Sequence, residues 1–229
     1  MSGNGAAAAP DPDAARLPAV LPIFPLTGAL LLPRGRLPLH IFEPRYRAMT
    51  QAALAADRMI GMIQPRTTGT ETVGDGDHIY EIGCAGRIVA FSELDDGRFL
   101  ITLEGLCRFR IATELPLVDG YRRVQPDFTP FLDDLKDSAD DHLPLDRERL
   151  LACVRDYLRA KDLAADWKAM SDISDDMLVV ALAMLCPFAP GEKQALLESP
   201  DIPTRADLLI SLLEMGGRDI LGPTSTAPH

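Results

Sequence analysis

Lysine is missing from residues 1–125, and the whole chain of 229 residues holds only four: Lys136, Lys161, Lys168 and Lys193. A Ser–Lys dyad needs a lysine desolvated beside a serine, whereas the first three of these stand among aspartates in polar stretches. Cysteine is scarce as well. Cys84, Cys107, Cys153 and Cys186 lie 23, 46 and 33 positions apart with no CxxC pair, which excludes a zinc framework and a small disulfide scaffold. They read as reduced, mostly buried thiols of a cytosolic protein. The single tryptophan, Trp167, falls in the second half, where packing is favoured over ligand stacking. Long apolar runs are absent too. The stretch 19–32 is broken by Pro22 and Pro25, and Met177 to Cys186 is ten residues, short of the ~20 that span a bilayer. The first cation is Arg16, so there is no basic start to a signal peptide. A soluble, cytoplasmic protein is expected.

Catalytic patterns are missing in the same way. The sequence has no GxxxxGK[ST] loop to cradle phosphates, no GxSxG nucleophile elbow and no HExxH zinc helix. Gly74-Asp75-Gly76 sits in a polar loop before a strand, which reads as a turn. His40 and Glu43 are three apart, without a third ligand or a nucleophile, so a structural hydrogen bond is the simpler reading. Cys84, Cys107 and His78 could converge, but both cysteines lie in strand-like contexts that suit small buried hydrophobes. No catalytic residue, no cofactor and no metal is assigned.

What is present is a globular composition, 47% hydrophobic and 25% charged, with a net charge of −11 and a pI near 4.8. Such acidity repels nucleic-acid phosphates and anionic lipid, so neither nucleic acid nor membrane is an expected partner. The charge is uneven. Residues 1–125 carry thirteen arginines against fourteen acidic residues, a net of −1. Residues 126–229 carry ten basic and twenty acidic residues, a net of −10. Two structural units are implied.

Residues 1–17 are Ala/Pro/Asp/Gly-rich and read as a disordered tail. Five prolines from Pro22 to Pro44 then forbid a long helix and leave short apolar runs, the broken edge strands of a barrel rim. Glu43-Pro44 is a good helix start, with a helix expected from about Pro44 to Ala56. MIGMI (59–63) reads as a strand, and Asp96-Gly97 as a hairpin turn. Gly105 marks a bulge or corner between two strands, and 121–128 closes the set. The first unit, 18–127, should be a mixed β pseudo-barrel with one inserted helix. An acidic connector, 128–143, leads to a four-helix unit over 144–216 and a tail over 217–229; the fold class is α+β. In that unit Leu150, Leu151, Val154 and Leu158 form one helical stripe, Ser174 and Thr204 read as caps, and the apolar helix 175–186 as its buried centre.

Arg108 and Arg110 alternate with Cys107, Phe109 and Ile111, and Arg34, Arg36, Arg45, Arg47, Arg122 and Arg123 add to the arginine-bearing half. Internal ion pairs with nearby carboxylates are the favoured account; recognition of a partner's carboxylates, or of RNA, is the alternative.

The string LPIFPLTGALLLPRGRLPLHIFEPRYRAM resembles the Lon amino-terminal domain, the substrate-binding module of the ATP-dependent Lon protease family. The matching residues are Phe24-Pro25-Leu26, Pro33, Leu37 to Leu39, Ile41-Phe42-Glu43, Arg45 and Tyr46, with further matches at Gly83 to Ala85, Ile88, Asp96 to Arg98, Gly105 and Arg108-Phe109. It covers about 18–215. Arg34 stands where the family often has glycine, and Gly35 follows. The resemblance implies a PUA-like sheet unit, as in cereblon-type proteins, and a stand-alone module without the ATPase and peptidase domains. Its partners would be unfolded or partly folded polypeptide, or a partner protein served as a proteolysis adaptor. Pro-broken strands leave edge groups that a peptide can complete by strand addition. Arg34, Arg36, Leu37, Phe42, Glu43, Arg45 and Tyr46 are the candidate rim, although Ile41 and Phe42 could equally be core. RNA binding through the PUA-like surface is the alternative function.

Overall fold

The computed structural model of the chain describes residues 17–66, 78–136, 145–164 and 167–218. These fall into two compact units. One holds the described residues up to Thr27 and those from Leu31 through 136; the other holds Gly28–Leu30 with everything from 145 onward. The expected tails (except residues 17, 217 and 218), the GDG loop and the later part of the acidic connector lie outside the described residues.

The first unit is a six-stranded mixed sheet: β1 (Leu21–Pro25), β2 (Arg36–Ile41), β3 (Met59–Ile63), β4 (Ile82–Glu93), β5 (Phe99–Val118) and β6 (Tyr121–Asp127), in the order β2-β5-β4-β3-β1-β6. A further β5–β6 pairing closes five of these strands into a barrel and leaves β2 attached to β5 alone. The mixed sheet, the α+β class and the C-terminal helices are as the sequence suggested.

Three local expectations need correction. β1 is not an edge: it pairs parallel with β3 and antiparallel with β6. Pro22 is tolerated because the β3 pairing begins only at Ile23, so its missing N–H falls where no ladder bond is made on that side. Residues 99–118 form one strand rather than two. The strand bends near Gly105, where the register against β4 shifts between the pairs Ala85–Cys107 and Gly86–Gly105. Leu17, read as tail, packs against the barrel core.

The core follows from alternation along β5: Phe99, Ile101, Leu103, Cys107 and Phe109 are all buried, and Phe109 meets Phe128 edge-on at 6.2 Å. Helix α1 (Pro44–Ala55) begins at the expected proline. A 3₁₀ segment, Thr129–Leu135, occupies the start of the expected connector. Asp134 in it accepts from the backbone N–H, Nε and Nη2 of Arg108 at 2.8–2.9 Å, and Arg108 is buried by this cover. The β4–β5 turn holds Gly97 at φ 74°, with Gly97 N–H donating to Leu94 O, as an Asp-Gly turn requires.

The second unit has α2 (Arg147–Ala160), the five-residue α3 (Trp167–Ser171), α4 (Asp175–Leu185), α5 (Pro190–Glu198) and α6 (Ile202–Arg218), thus four longer helices and one short one. Asp146 caps α2 through Arg149 N–H. Asp201, not Thr204, caps α6, accepting from Thr204 N–H at 2.8 Å; the helix starts earlier than expected and runs on through Gly216 and Gly217. α4 buries Leu178, Val179, Val180, Leu182 and Ala183, but Leu185 at its end is 78% exposed. Arg205 is buried and donates to the carbonyls of Leu196 and Ser199 that end α5. Lys193 Nζ donates to Gly28 O at 2.8 Å and Met184 O at 3.3 Å, which ties the Gly28–Leu30 strap to the helices. Trp167 is 38% exposed beneath the Arg155 guanidinium, not part of a core. No described helix is long and apolar enough to cross a membrane.

None of the four cysteines is in a disulfide; Cys84, Cys107 and Cys186 are buried and Cys153 is half-buried. Burial pushes Cys107 up to about 12 and Cys186 up to about 11. Burial, then the neighbouring Glu214, also raises Cys153. In the native state iodoacetamide should therefore alkylate Cys153 slowly and the other three only on unfolding, read by intact mass and peptide mapping. Rapid native labelling of Cys107 would contradict this core. A second test concerns Gly105, where a Cβ would stand 2.0 Å from Leu32 O. Gly105→Ala should cost about 3 kcal/mol by overpacking, read as a fall in the urea midpoint. Gly191→Ala, with open space around it, should leave the midpoint unchanged or raise it.

Candidate functional site

The candidate rim residues lie along β2 and its two ends. Arg34 sits in the preceding turn at φ 66°, its N–H donating to Gly105 O at 2.7 Å, while Gly105 N–H donates to Gly35 O at 2.9 Å. These two bonds set the phase of the strand. Counting on from Gly35 in steps of two, Leu37, Leu39 and Ile41 turn their backbone groups to β5, and Arg36, Pro38 and His40 turn theirs to the open side. Pro38 stands where its missing N–H removes no ladder bond.

Side chains alternate the other way, across the two faces. Leu37, Leu39 and Ile41 share the face of the buried Ile101 and Leu103; Ile41 is buried, but Leu37 and Leu39 are only half-buried because no strand lies beyond them. Arg36, Pro38, His40 and then Phe42 occupy the other face. Arg36 faces its cross-strand neighbour Glu104, with N–O distances of 2.9 Å. Phe42 is 60% exposed, its ring 5.8 Å from that of His40. Glu43 precedes α1 but makes no side-chain cap; it accepts instead from Arg45 at 3.0–3.1 Å.

Arg36 and Phe42 are six residues apart on extended chain, on the order of 20 Å, so the candidates form a stripe and not a single cluster. Tyr46 leaves the rim altogether. It is buried, its ring tilted against Phe24 at 4.1 Å between centroids, with the Arg45 guanidinium over the ring at 4.6 Å. At the first turn of α1 that position turns onto Phe24 of β1; the residue anchors the rim and does not line it.

The sequence reading missed the neighbouring surface. Pro38, His40, Phe91, Leu100 and Thr102 border an open depression of about 500 Å³ on the β2–β5–β4 side of the sheet. Leu100 and Phe91 are 45% and 52% exposed. Leu100 lies opposite both His40 and Ser92. Its signal was visible: in Phe99-Leu100-Ile101-Thr102-Leu103-Glu104 the inward phase is apolar throughout, and Leu100 is the one large hydrophobe on the outward phase.

The site has little reactive chemistry. Among the described residues no three His, Cys, Asp or Glu side chains gather to hold a metal. Neither His40 nor Glu43 meets a nucleophile. Several of the arginines face carboxylates: Arg36 to Glu104, Arg45 to Glu43, Arg98 to Asp96, Arg108 to Asp134 and Arg122 to Glu114. These pairs use up charge that a phosphate backbone would need. What the arrangement can do is hold an apolar, extended ligand beside an edge strand.

Comparison with known proteins bears on the family and the fold. A family model described as the ATP-dependent protease La (LON) substrate-binding domain matches residues 20–215. Lon protease 2 of Myxococcus xanthus is 27% identical over 197 residues, which cover 86% of this chain and 24% of that protein. The Lon protease of Anaeromyxobacter dehalogenans is 25% identical over 197 residues, 86% of this chain and 23% of that protein. The chain thus spans about a quarter of the length of these relatives. Among solved structures, a Lon N-terminal domain protein from Xanthomonas campestris superposes with a TM-score of 0.57 at 24% identity, covering 84% of this chain and 97% of that one. The N-terminal domain of the Mycobacterium avium complex Lon protease gives 0.55 at 16% identity, covering 85% and 97%. These two likenesses carry the fold, and the family model carries the kinship: the chain belongs to the Lon substrate-binding domain family.

Proposed function

We propose that the protein is a non-catalytic capture module of the cytoplasm that holds exposed apolar segments of unfolded or partly folded polypeptides. The observation that carries this reading is the convergence of Leu100 and Phe91, 45% and 52% exposed, on one depression beside a strand with one free edge, with the 60% exposed Phe42 next to His40 at its border. Scattered apolar residues are ordinary on a protein surface; a contiguous patch rimmed by ion pairs marks a contact surface. The family's description as a substrate-binding domain of an ATP-dependent protease supports the same reading. On that footing the captured chain is passed to a separate protease, for which this module acts as adaptor.

Fluorescence anisotropy with a labelled, permanently unfolded protein should show saturable binding. The pair Phe42→Glu and Leu100→Glu, both on exposed side chains, should weaken it at least about tenfold, or 1.4 kcal/mol, with an unchanged urea midpoint. Casein incubated with the pure protein should stay intact with and without ATP. Indifference of binding to the double substitution, or cleavage that survives repurification, would overturn the proposal.

A further inference from the structure

The open side of β2 is a short, bounded row. Arg36, Pro38 and His40 present three carbonyls there but only two N–H groups, since proline has none. An ion pair stands at each end: Arg36 with Glu104, and Glu43 with Arg45. Between them the chain reads Leu37-Pro38-Leu39-His40-Ile41-Phe42, with no Asp, Glu, Lys or Arg. Six extended residues span about 20 Å.

Both faces of that window are short of apolar cover. On the core side Leu37 and Leu39 remain half-buried for want of a neighbouring strand; on the other, Phe42 and Leu100 are largely exposed. A strand laid along β2 therefore meets apolar surface with its odd and its even side chains alike. A solvent-facing strand, which alternates apolar and polar, satisfies one face only. A contiguous apolar run, the pattern of a strand normally buried on both sides, satisfies both.

Resting on the capture reading above, we infer that β2 takes, by strand addition, an extended run of about six contiguous uncharged apolar residues, the ion pairs at its ends setting the length. A charge inside the window is buried without a counter-ion, whereas a charge beyond it reaches Glu104 or Arg45. The donor missing at Pro38 leaves one guest carbonyl to water. That weakens the pairing and keeps a permanently open edge from nucleating long aggregates.

The test uses the full chain and fluorescein-labelled peptides carrying six apolar residues between Ser/Asn flanks. A peptide N-methylated on alternate amides keeps one intact edge and should bind within about threefold of its parent, whichever alternate set is methylated. Methylation of all six amides leaves the side chains but blocks both edges, and should cost at least about tenfold, the worth of two net hydrogen bonds. Asp placed mid-window should cost as much, and the same Asp in a flank little. His40→Pro removes a donor from the open side only; with the urea midpoint confirming the fold, it should weaken the parent about fivefold, the worth of one such bond. If the fully methylated peptide binds like its parent, strand addition is wrong while apolar capture stands. If no apolar peptide binds, both readings fall. A dimer in sedimentation that His40→Pro dissolves would assign the edge to a second copy of the chain and overturn the inference.

Discussion

The carbonyl of Leu32 lies so near Gly105 that any side chain there would collide with it, and the sheet unit is organised around that contact. With only hydrogen at position 105, the turn before β2 lies flat on β5, and two backbone bonds through Arg34 and Gly35 lock it there. The lock sets which groups of β2 face β5 and which face outward. It also coincides with the bulge that bends β5, so that one twenty-residue strand serves β2 and β4 before the bend and β4 and β6 beyond it. Barrel closure, the attachment of β2 and the phase of its free edge all descend from this one close approach.

Charge in the sheet unit does a structural task first. Arg108 donates three hydrogen bonds to one aspartate of the 3₁₀ segment, which is thereby drawn onto the barrel. Arg122 and Glu114 join β6 to β5 through two bonds of 2.6 and 2.8 Å. Fork-to-carboxylate geometry of this kind favours arginine over lysine at these two positions. At the rim the same pairing has a second consequence. Arg36–Glu104 and Glu43–Arg45 neutralise one another and leave a charge-free strip between them, a surface suited to apolar chain and unsuited to phosphate.

Much of this was legible from residues. Pro44 marked the start of α1, MIGMI coincides with β3, and Asp96-Gly97 makes the expected turn. Each is a short-range matter: a fixed φ, a run length, a left-handed glycine. Errors arose where the answer depended on a neighbour distant in sequence. Pro22 suggested an edge strand, yet the offset between its two partners let β1 stay inside. Thr204 resembled a cap, but Asp201 three residues earlier reaches the N–H groups first. Tyr46 looked like rim because it follows Phe42 on the chain, and only the direction of α1 against Phe24 shows that it is core.

The amino-acid order alone determined several element starts, the segregation of charge and the kinship carried by the run from Phe24 to Tyr46, because these depend on residue type and on spacing within a few positions. Tertiary structure decided which apolar residues stay uncovered. Phe42, Phe91 and Leu100 are no more or less hydrophobic than their buried neighbours. Leu100 falls on the outward phase of β5 opposite His40, Phe42 follows the end of β2, and Phe91 lies on the part of β4 paired with β5 alone. The β2–β5 pairing joins segments about sixty residues apart. The place of binding is thus a property of the pairing, which no local stretch of sequence contains.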